Sequence, residues 1–290
     1  MEASVTLPKW VDDYIFNELG ASYCPTHSPN MTVIDWGRDE VLRYLGTYFP
    51  RSYAESYCIF TDYFSANMMK YKDKEELSIF DFGCGTGGEI IGLLMVFEEK
   101  LPCLKKVDIR ALDGNKFEMN ILGKILGETQ KHLHYQLSFK PNLDKIEDIY
   151  ELGIQNSIIE QKFDLIISFK AICEFATKQV FDKKYNEEEF YNFLNSNNPY
   201  QHIAVFLLSK LHEDGVLLLE DITSPDKATS DWLPNIMDKG LKAINCNLLG
   251  KNDDYSQKYK VTHSFATDDG NKVAWRMIKC NNYEKRLDDN

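Results

Sequence analysis

The chain of 290 residues has no apolar run of membrane-spanning length, no surplus of positive charge and no pair of cysteines at C-x-x-C spacing. The first absence argues against membrane insertion. The second argues against a broad electrostatic grip on nucleic acid: 33 Lys and Arg stand against 45 Asp and Glu, for a net charge of −12 and a pI near 5.0, whereas such a grip needs clustered basic residues. A local basic patch stays compatible with that balance. The third bears on metal and redox chemistry. Seven cysteines, at positions 24, 58, 84, 103, 173, 246 and 280, show no metal-ligand spacing, so reduced, unlinked thiols in a cytosolic protein and no metal site are expected. Nor do residues 1–10, with Glu2, Pro8 and Lys9, read as a basic segment followed by an apolar one, so neither secretion nor membrane attachment is expected.

What is present is an ordinary globular composition, 43% apolar, in a chain long enough to bury a substantial core. Its organising stretch is Ser78-Ile-Phe-Asp-Phe-Gly-Cys-Gly-Thr-Gly-Gly-Glu89, a short apolar strand running into a glycine loop that opens a helix. Gly83, Gly85 and Gly87 remove side chains where the backbone must turn and a ligand must approach closely. Ile90, Ile91, Leu93, Leu94 and Phe97 supply the apolar face of the helix. A nucleotide-like ligand fits such a loop, and Gly83, Gly85 and Gly88 also satisfy the G-x-G-x-x-G spacing of dinucleotide enzymes. Asp81 separates the two readings, because a carboxylate there repels a pyrophosphate and attracts a cation. Asp113, ending the strand Val107-Asp-Ile-Arg-Ala-Leu-Asp113, is placed to accept hydrogen bonds from ribose hydroxyls. The plainer alternatives make Asp81 a buried structural acid and Asp113 a helix N-cap.

In these motifs the chain resembles the class I S-adenosylmethionine-dependent methyltransferases, whose first motif runs acid-x-Gly-x-Gly-x-Gly and whose second strand ends in an acid. The resemblance covers about residues 77–280 and speaks to the cofactor far more than to the substrate. It implies an α/β fold with a Rossmann-like, seven-stranded, mostly parallel sheet and a terminal antiparallel hairpin. It also implies S-adenosyl-L-methionine as cofactor, with Asp81, Gly83, Gly85, Gly87, Asp113 and Ser168 among its contacts and Asn142 or Asp144 near the adenine. Residues 1–76 then form an N-terminal helical cap, 77–280 the catalytic domain and 281–290 a flexible tail.

Within the cap, Trp10, Tyr14 and Ile15 recur at helical spacing, Asp35 is a helix cap, and Pro50 ends a helix carrying Val41, Leu42, Leu45 and Phe49. The phrase Tyr48-Phe-Pro-Arg-Ser-Tyr-Ala-Glu55 is similar to a segment of the Rsm22-like ribosome-associated family, without that family's cysteine-rich pattern. Further on, residues 134–139 read as a strand, and Phe163 to Ser168 as another whose carboxyl end faces the ligand edge. There Phe169 and Lys170 are candidate substrate contacts, and Glu174, Asp221 and His263 candidate acid–base groups. A short helix is expected around Phe190 and Phe193. Tyr259 to Phe265 and Val273 to Met277 alternate about a turn at Asp268 to Asn271, as in a hairpin.

Some chemistry is excluded. There is no Asn/Asp-Pro-Pro-aromatic motif of amino-group methyltransferases, Cys173 lacks the proline that precedes the nucleophile of cytosine-C5 enzymes, and a strand ending in Ser168 does not supply the tetrad of ribose 2′-oxygen transfer. A small molecule or a protein side chain is the favoured methyl acceptor, with ribosomal RNA second and a non-catalytic scaffold that binds the cofactor third. Oligomeric state and partner chains stay open at this level.

Overall fold

The computed structural model describes residues 3–25, 36–146, 149, 159–176, 198–225, 231–244, 246–252 and 259–281. The expected cap at Asp35, the helix around Phe190 and Phe193 and the tail from 282 lie outside them. The chain divides into two compact units, one of residues 1–145 with 256–272, the other of 146–255 with 273–290.

The first unit contains β1 (Ala3–Thr6), α1 (Lys9–Asp13) continuing as a π turn (Tyr14–Glu18), α2 (Arg38–Ala66), α3 (Met68–Tyr71), β2 (Glu76–Phe82), α4 (Gly88–Lys100), β3 (Lys106–Asp113), α5 (Lys116–Thr129) and β4 (Gln136–Leu143). Strands β2, β3 and β4 pair in parallel, with Phe82 beside Leu112 and Leu112 beside Asn142. Strand β2 is buried on both faces from Ile79 to Phe82, as its nearly unbroken apolar run requires.

Pro50 does not end a helix. Helix α2 runs for 29 residues straight through it, although an interior proline costs about 3 kcal/mol in the lost N–H bond and the pressure of its ring on the carbonyl four residues back. Burial on both sides offsets that cost: Val41, Leu45 and Phe49 precede the proline, Tyr53, Ile59, Phe60 and Phe64 follow it, and all are at most 3% exposed. The partner is α4, which presents Gly88 and Gly92. A Cβ at Gly88 would lie 2.3 Å from the Phe49 carbonyl oxygen, and one at Gly92 2.5 Å from that of Tyr53. The two helices therefore touch backbone to backbone, and Ser56 Oγ donates to the Glu89 carbonyl at 2.7 Å.

The expected hairpin is also differently partnered. Strand β8 (Tyr259–His263) belongs to a separate three-stranded sheet of order β1-β8-β9, parallel to β1 and antiparallel to β9 (Ala266–Asp269). Alternation reports which side chains enter a core and not which strand lies alongside. Here the intervening β9 takes the hairpin position.

The second unit holds β5 (Phe163–Phe169), α6 (Ile172–Ala176), α7 (Pro199–Ser209), β6 (Leu211–Ile222), α8 (Leu233–Lys242), β7 (Cys246–Lys251) and β10 (Val273–Cys280). Strands β5 and β6 are parallel, and β10 is antiparallel to both β6 and β7. Asn198 caps α7, accepting from the amides of Tyr200 and Gln201 ahead of Pro199 at the first helical position, where a missing N–H costs nothing. The large sheet has seven strands in the order β4-β3-β2-β5-β6-β10-β7, a Rossmann-like, mostly parallel sheet with antiparallel strands at one end. Among the described residues no helix is long and apolar enough to cross a membrane.

Candidate functional site

Beyond Phe82 the chain turns through Gly83, Gly85 and Gly87, with φ of 76°, 47° and 78°, a region that side-chain-bearing residues rarely adopt. Two things fasten this loop to the end of β3. The amides of Gly83 and Cys84 donate to the Leu112 carbonyl at 2.8 and 3.2 Å, and the Gly85 amide donates to Asp113 Oδ2 at 2.9 Å. The other oxygen, Asp113 Oδ1, accepts from the Asn115 amide at 2.8 Å. Asp113 is therefore a loop anchor and not the cap of α5. The cap is Asn115, which accepts from Phe117 and Glu118 at 2.8 and 3.3 Å. A carboxylate has about four acceptor positions, so Asp113 keeps capacity for a ligand hydroxyl.

Asp81 is 0% exposed, and neither of its oxygens receives a hydrogen bond from a donor of the protein. Burial pushes its pKa well above the usual carboxylate range, and the facing carboxylate of Glu89, then Asp113, push the same way. Glu89 stands in the first turn of α4 and is 4% exposed. Asp113 is also raised, by burial against the amides that hold it. The thiol of Cys84 is driven up by burial and by Asp113, Asp81, Glu89 and Glu118 together. This concentration of negative charge disfavours a phosphate and favours a cation. Among the described residues, no group of His, Cys, Asp and Glu has the arrangement of a metal site.

Tyr44 of α2 lies along the loop: a Cβ at Gly85 would meet its ring at 3.4 Å. Its neighbours form an aromatic row, Trp36 at 5.5 Å and Tyr48 stacked at 4.8 Å between ring centres, and the Trp36 carbonyl accepts from Asn115 Nδ2 at 3.2 Å. Arg51 continues the row over Tyr48 but is itself buried, with Nε and Nη2 each 2.8 Å from Asp269. At the carboxyl end of β4, Asn142 Nδ2 is a buried donor with no acceptor in the protein. The Asp144 amide donates to the Asp113 carbonyl at 3.0 Å. Asp81, Gly83, Gly85, Gly87, Asp113 and Asn142 thus gather at the carboxyl ends of β2, β3 and β4.

In the second unit the ends of β5 and β6 hold Ser168, Phe169, Lys170 and Asp221. Ser168 and Phe169 are buried. Lys170 has φ 56°, donates its amide to the Glu220 carbonyl at 2.9 Å and brings its ammonium to 3.9 Å from the Glu220 carboxylate. Asp221 Oδ2 accepts from the Cys173 amide at 2.8 Å and the Tyr200 hydroxyl at 2.9 Å. Burial raises Asp221 to about 6, against those hydrogen bonds. Glu174 is half-buried in the short α6. His263, in the first unit, stands apart from the glycine-loop residues of that unit. It sits on β8, 3.8 Å from Asp269 and stacked on Phe16.

Sequence reasoning missed Glu89, Asn115, Tyr44 and Tyr200. Only Asn115 carried a local signal, the Asn-x-x-Glu spacing of a capping box.

No protein-family model and no curated protein matches the chain. Solved structures with a similar chain course include magnesium protoporphyrin IX methyltransferase from Synechocystis with bound SAM, at 12% identity, TM-score 0.45, 93% of this chain and 94% of that one. Another is the CMeT domain of the citrinin polyketide synthase, at 15% identity, TM-score 0.43, 76% and 51% covered. A third is TrmN from Thermus thermophilus, at 10%, TM-score 0.40, 75% and 48% covered. The fold assignment rests on the strand order itself.

Proposed function

We propose that the protein is an S-adenosyl-L-methionine-dependent methyltransferase. The observation that carries this reading is the buried Asp81 carboxylate beneath the glycine loop, with no donor from the protein on either oxygen, in a setting of further acids. A dinucleotide would bring phosphates to that charge, whereas a ligand with an ammonium group and no phosphate complements it. The Asn142 amide nitrogen, a second buried group without a partner, adds a donor suited to a ring nitrogen or hydroxyl. Asp81 and Asn142 would hold the cofactor together with the loop amides, and the spare acceptor capacity of Asp113 suits its ribose.

Bound there, S-adenosyl-L-methionine supplies an electrophilic methyl group on a sulfonium leaving group. The protein's share is to hold both partners in line and exclude water, and to take a proton where the acceptor is an amine or alcohol. Phe169 and Lys170 are the proposed acceptor contacts. Glu174 and Asp221 are the proposed proton acceptors, Asp221 because it titrates at about 6. His263, the third candidate acid–base group, shares Asp269 with Arg51. A small molecule or protein side chain is favoured as acceptor, in a cytoplasmic setting that suits seven free thiols. The RNA reading drawn from residues 48–55 loses its basic contact, because Arg51 is enclosed by its own ion pair.

Calorimetry tests the cofactor: S-adenosylmethionine and S-adenosylhomocysteine should bind well and NAD far more weakly, and the reverse order overturns the reading. Incubation with methyl-labelled cofactor and cell extract then tests transfer. Phe169→Ala and Glu174→Gln should keep cofactor affinity and lose label transfer. Binding without transfer to any fraction favours a scaffold.

A further inference from the structure

We propose that Asp81 and Glu89 form a proton-sharing carboxylate pair that recognises the ammonium group of the ligand and gives up its proton when that group docks. This rests on the cofactor reading above and adds Glu89, from the first turn of α4, to the site.

The two side chains come from consecutive elements joined by the glycine loop, β2 and α4, and both are almost wholly removed from solvent, at 0% and 4% exposure. Neither oxygen of Asp81 meets a donor, and the group it faces is the Glu89 carboxylate. Two ionised carboxylates side by side without water would repel each other strongly and would each lack solvation. One proton held between them removes both penalties. The same oxygens then have a donor, and the pair carries a single negative charge.

Charge balance fixes what happens on binding. An ammonium placed between two ionised carboxylates leaves the same single negative charge as the protonated pair. The site can therefore exchange a proton for an ammonium without burying additional net charge, and the proton leaves to the buffer. Neutral ligands offer no such exchange. The other titratable groups facing the pair are Asp113, engaged by the amides of Gly85 and Asn115, and the Cys84 thiol, which burial and the surrounding acids keep neutral. Burial and Glu89 together hold the proton on Asp81 well above the ordinary carboxylate range, so the pair still carries its proton at pH values where ordinary carboxylates have lost theirs.

The test is calorimetry on the full chain with two probes, S-adenosylhomocysteine, which carries the ammonium, and 5′-methylthioadenosine, which keeps the nucleoside and thioether and lacks it. Titrations in two buffers of different ionisation enthalpy count the protons released. S-adenosylhomocysteine should release close to one proton, and its affinity should fall by up to about tenfold for each pH unit of acidification below neutrality. 5′-Methylthioadenosine should release none and bind independently of pH. In Glu89→Gln the amide can donate to Asp81 and keep it ionised, so S-adenosylhomocysteine should bind with no proton release and a flat pH profile. If that variant does not fold, the contrast between the two probes on the wild-type chain decides. Binding of S-adenosylhomocysteine without proton release, or equal release by both probes, overturns the pair while leaving the cofactor reading intact. Failure of both probes to bind overturns the cofactor reading itself.

Discussion

A carboxyl group enclosed by protein keeps its proton over a range in which the unfolded chain has lost it, and Asp221 turns that into a pH dependence of stability. Its folded value is about 6 against the ordinary 3.8 of an aspartate. Because the folded value is the higher one, its contribution is fully present below about pH 4 and declines as pH rises to about 6, by up to roughly 3 kcal/mol. Asp221→Asn removes the titration. It keeps an oxygen for the Cys173 amide and the Tyr200 hydroxyl, and presents a donor to the Ile222 amide that Oδ1 accepts at 2.9 Å. The variant should be less stable than wild type at pH about 4, and the gap should shrink toward pH about 6. Urea unfolding across that range measures it, and a gap independent of pH would contradict the assignment. Asp269 has the opposite sign: burial opposes its ionisation, but the neighbouring His263 ring, the hydrogen bonds from Arg51 and the Arg51 charge lower it to about 2. Of these residues, Asp81 and Asp113 were legible from their spacing around the glycines. Glu89 was not, because an acid in the first turn of a helix is already explained by the helix dipole.

At the scale of elements, sequence periodicity identified β2, α4, β3, β4 and β5 but not the full course of α2 or the partners of β8. Helix α2 was hidden by Pro50, since local propensity says stop and only the packing on α4 says continue. That packing depends on two glycines one helical turn apart, which read in sequence as weak helix formers. Gly88→Ala should be costly, because the new Cβ would lie 2.3 Å from a backbone oxygen that cannot rotate away. A loss of roughly 1–3 kcal/mol in urea unfolding is expected from overpacking of this kind. Gly127→Ala is the control: it sits in helix α5 with nothing within 4 Å of the added atom and should gain stability by about 0.4–1 kcal/mol. Equal effects of the two would mean that helix propensity and not contact governs. The hairpin was misread for a related reason. Strands β8 and β10 alternate alike, and nothing in the pattern says that one pairs with β1 and β9 and the other with β6 and β7.

For the whole molecule the decisive quantity is the net charge of −12, which acts on any polyanion long before contact. RNA binding requires enough Lys and Arg at one surface to displace counterions from phosphates, and affinity then falls steeply with salt. The cation singled out by the likeness of residues 48–55 to a ribosome-associated family is Arg51, and its guanidinium is spent on Asp269 at 2.8 Å with Asn271 at 3.2 Å. Arg51→Glu should therefore act on the fold: it would bury two carboxylates against each other in place of an ion pair, at a cost of about 3–5 kcal/mol or more. Arg51→Lys keeps the charge but not the two-pronged geometry and should cost less. Thermal melts of the three proteins should fall in the order wild type, Arg51→Lys, Arg51→Glu. Filter binding to ribosomal RNA should show weak retention by the wild-type chain at physiological salt, and Arg51→Lys should not alter it. Tight retention lost steeply with salt and reduced by Arg51→Lys, with no matching loss of stability, would reverse the order of acceptors and make RNA the substrate.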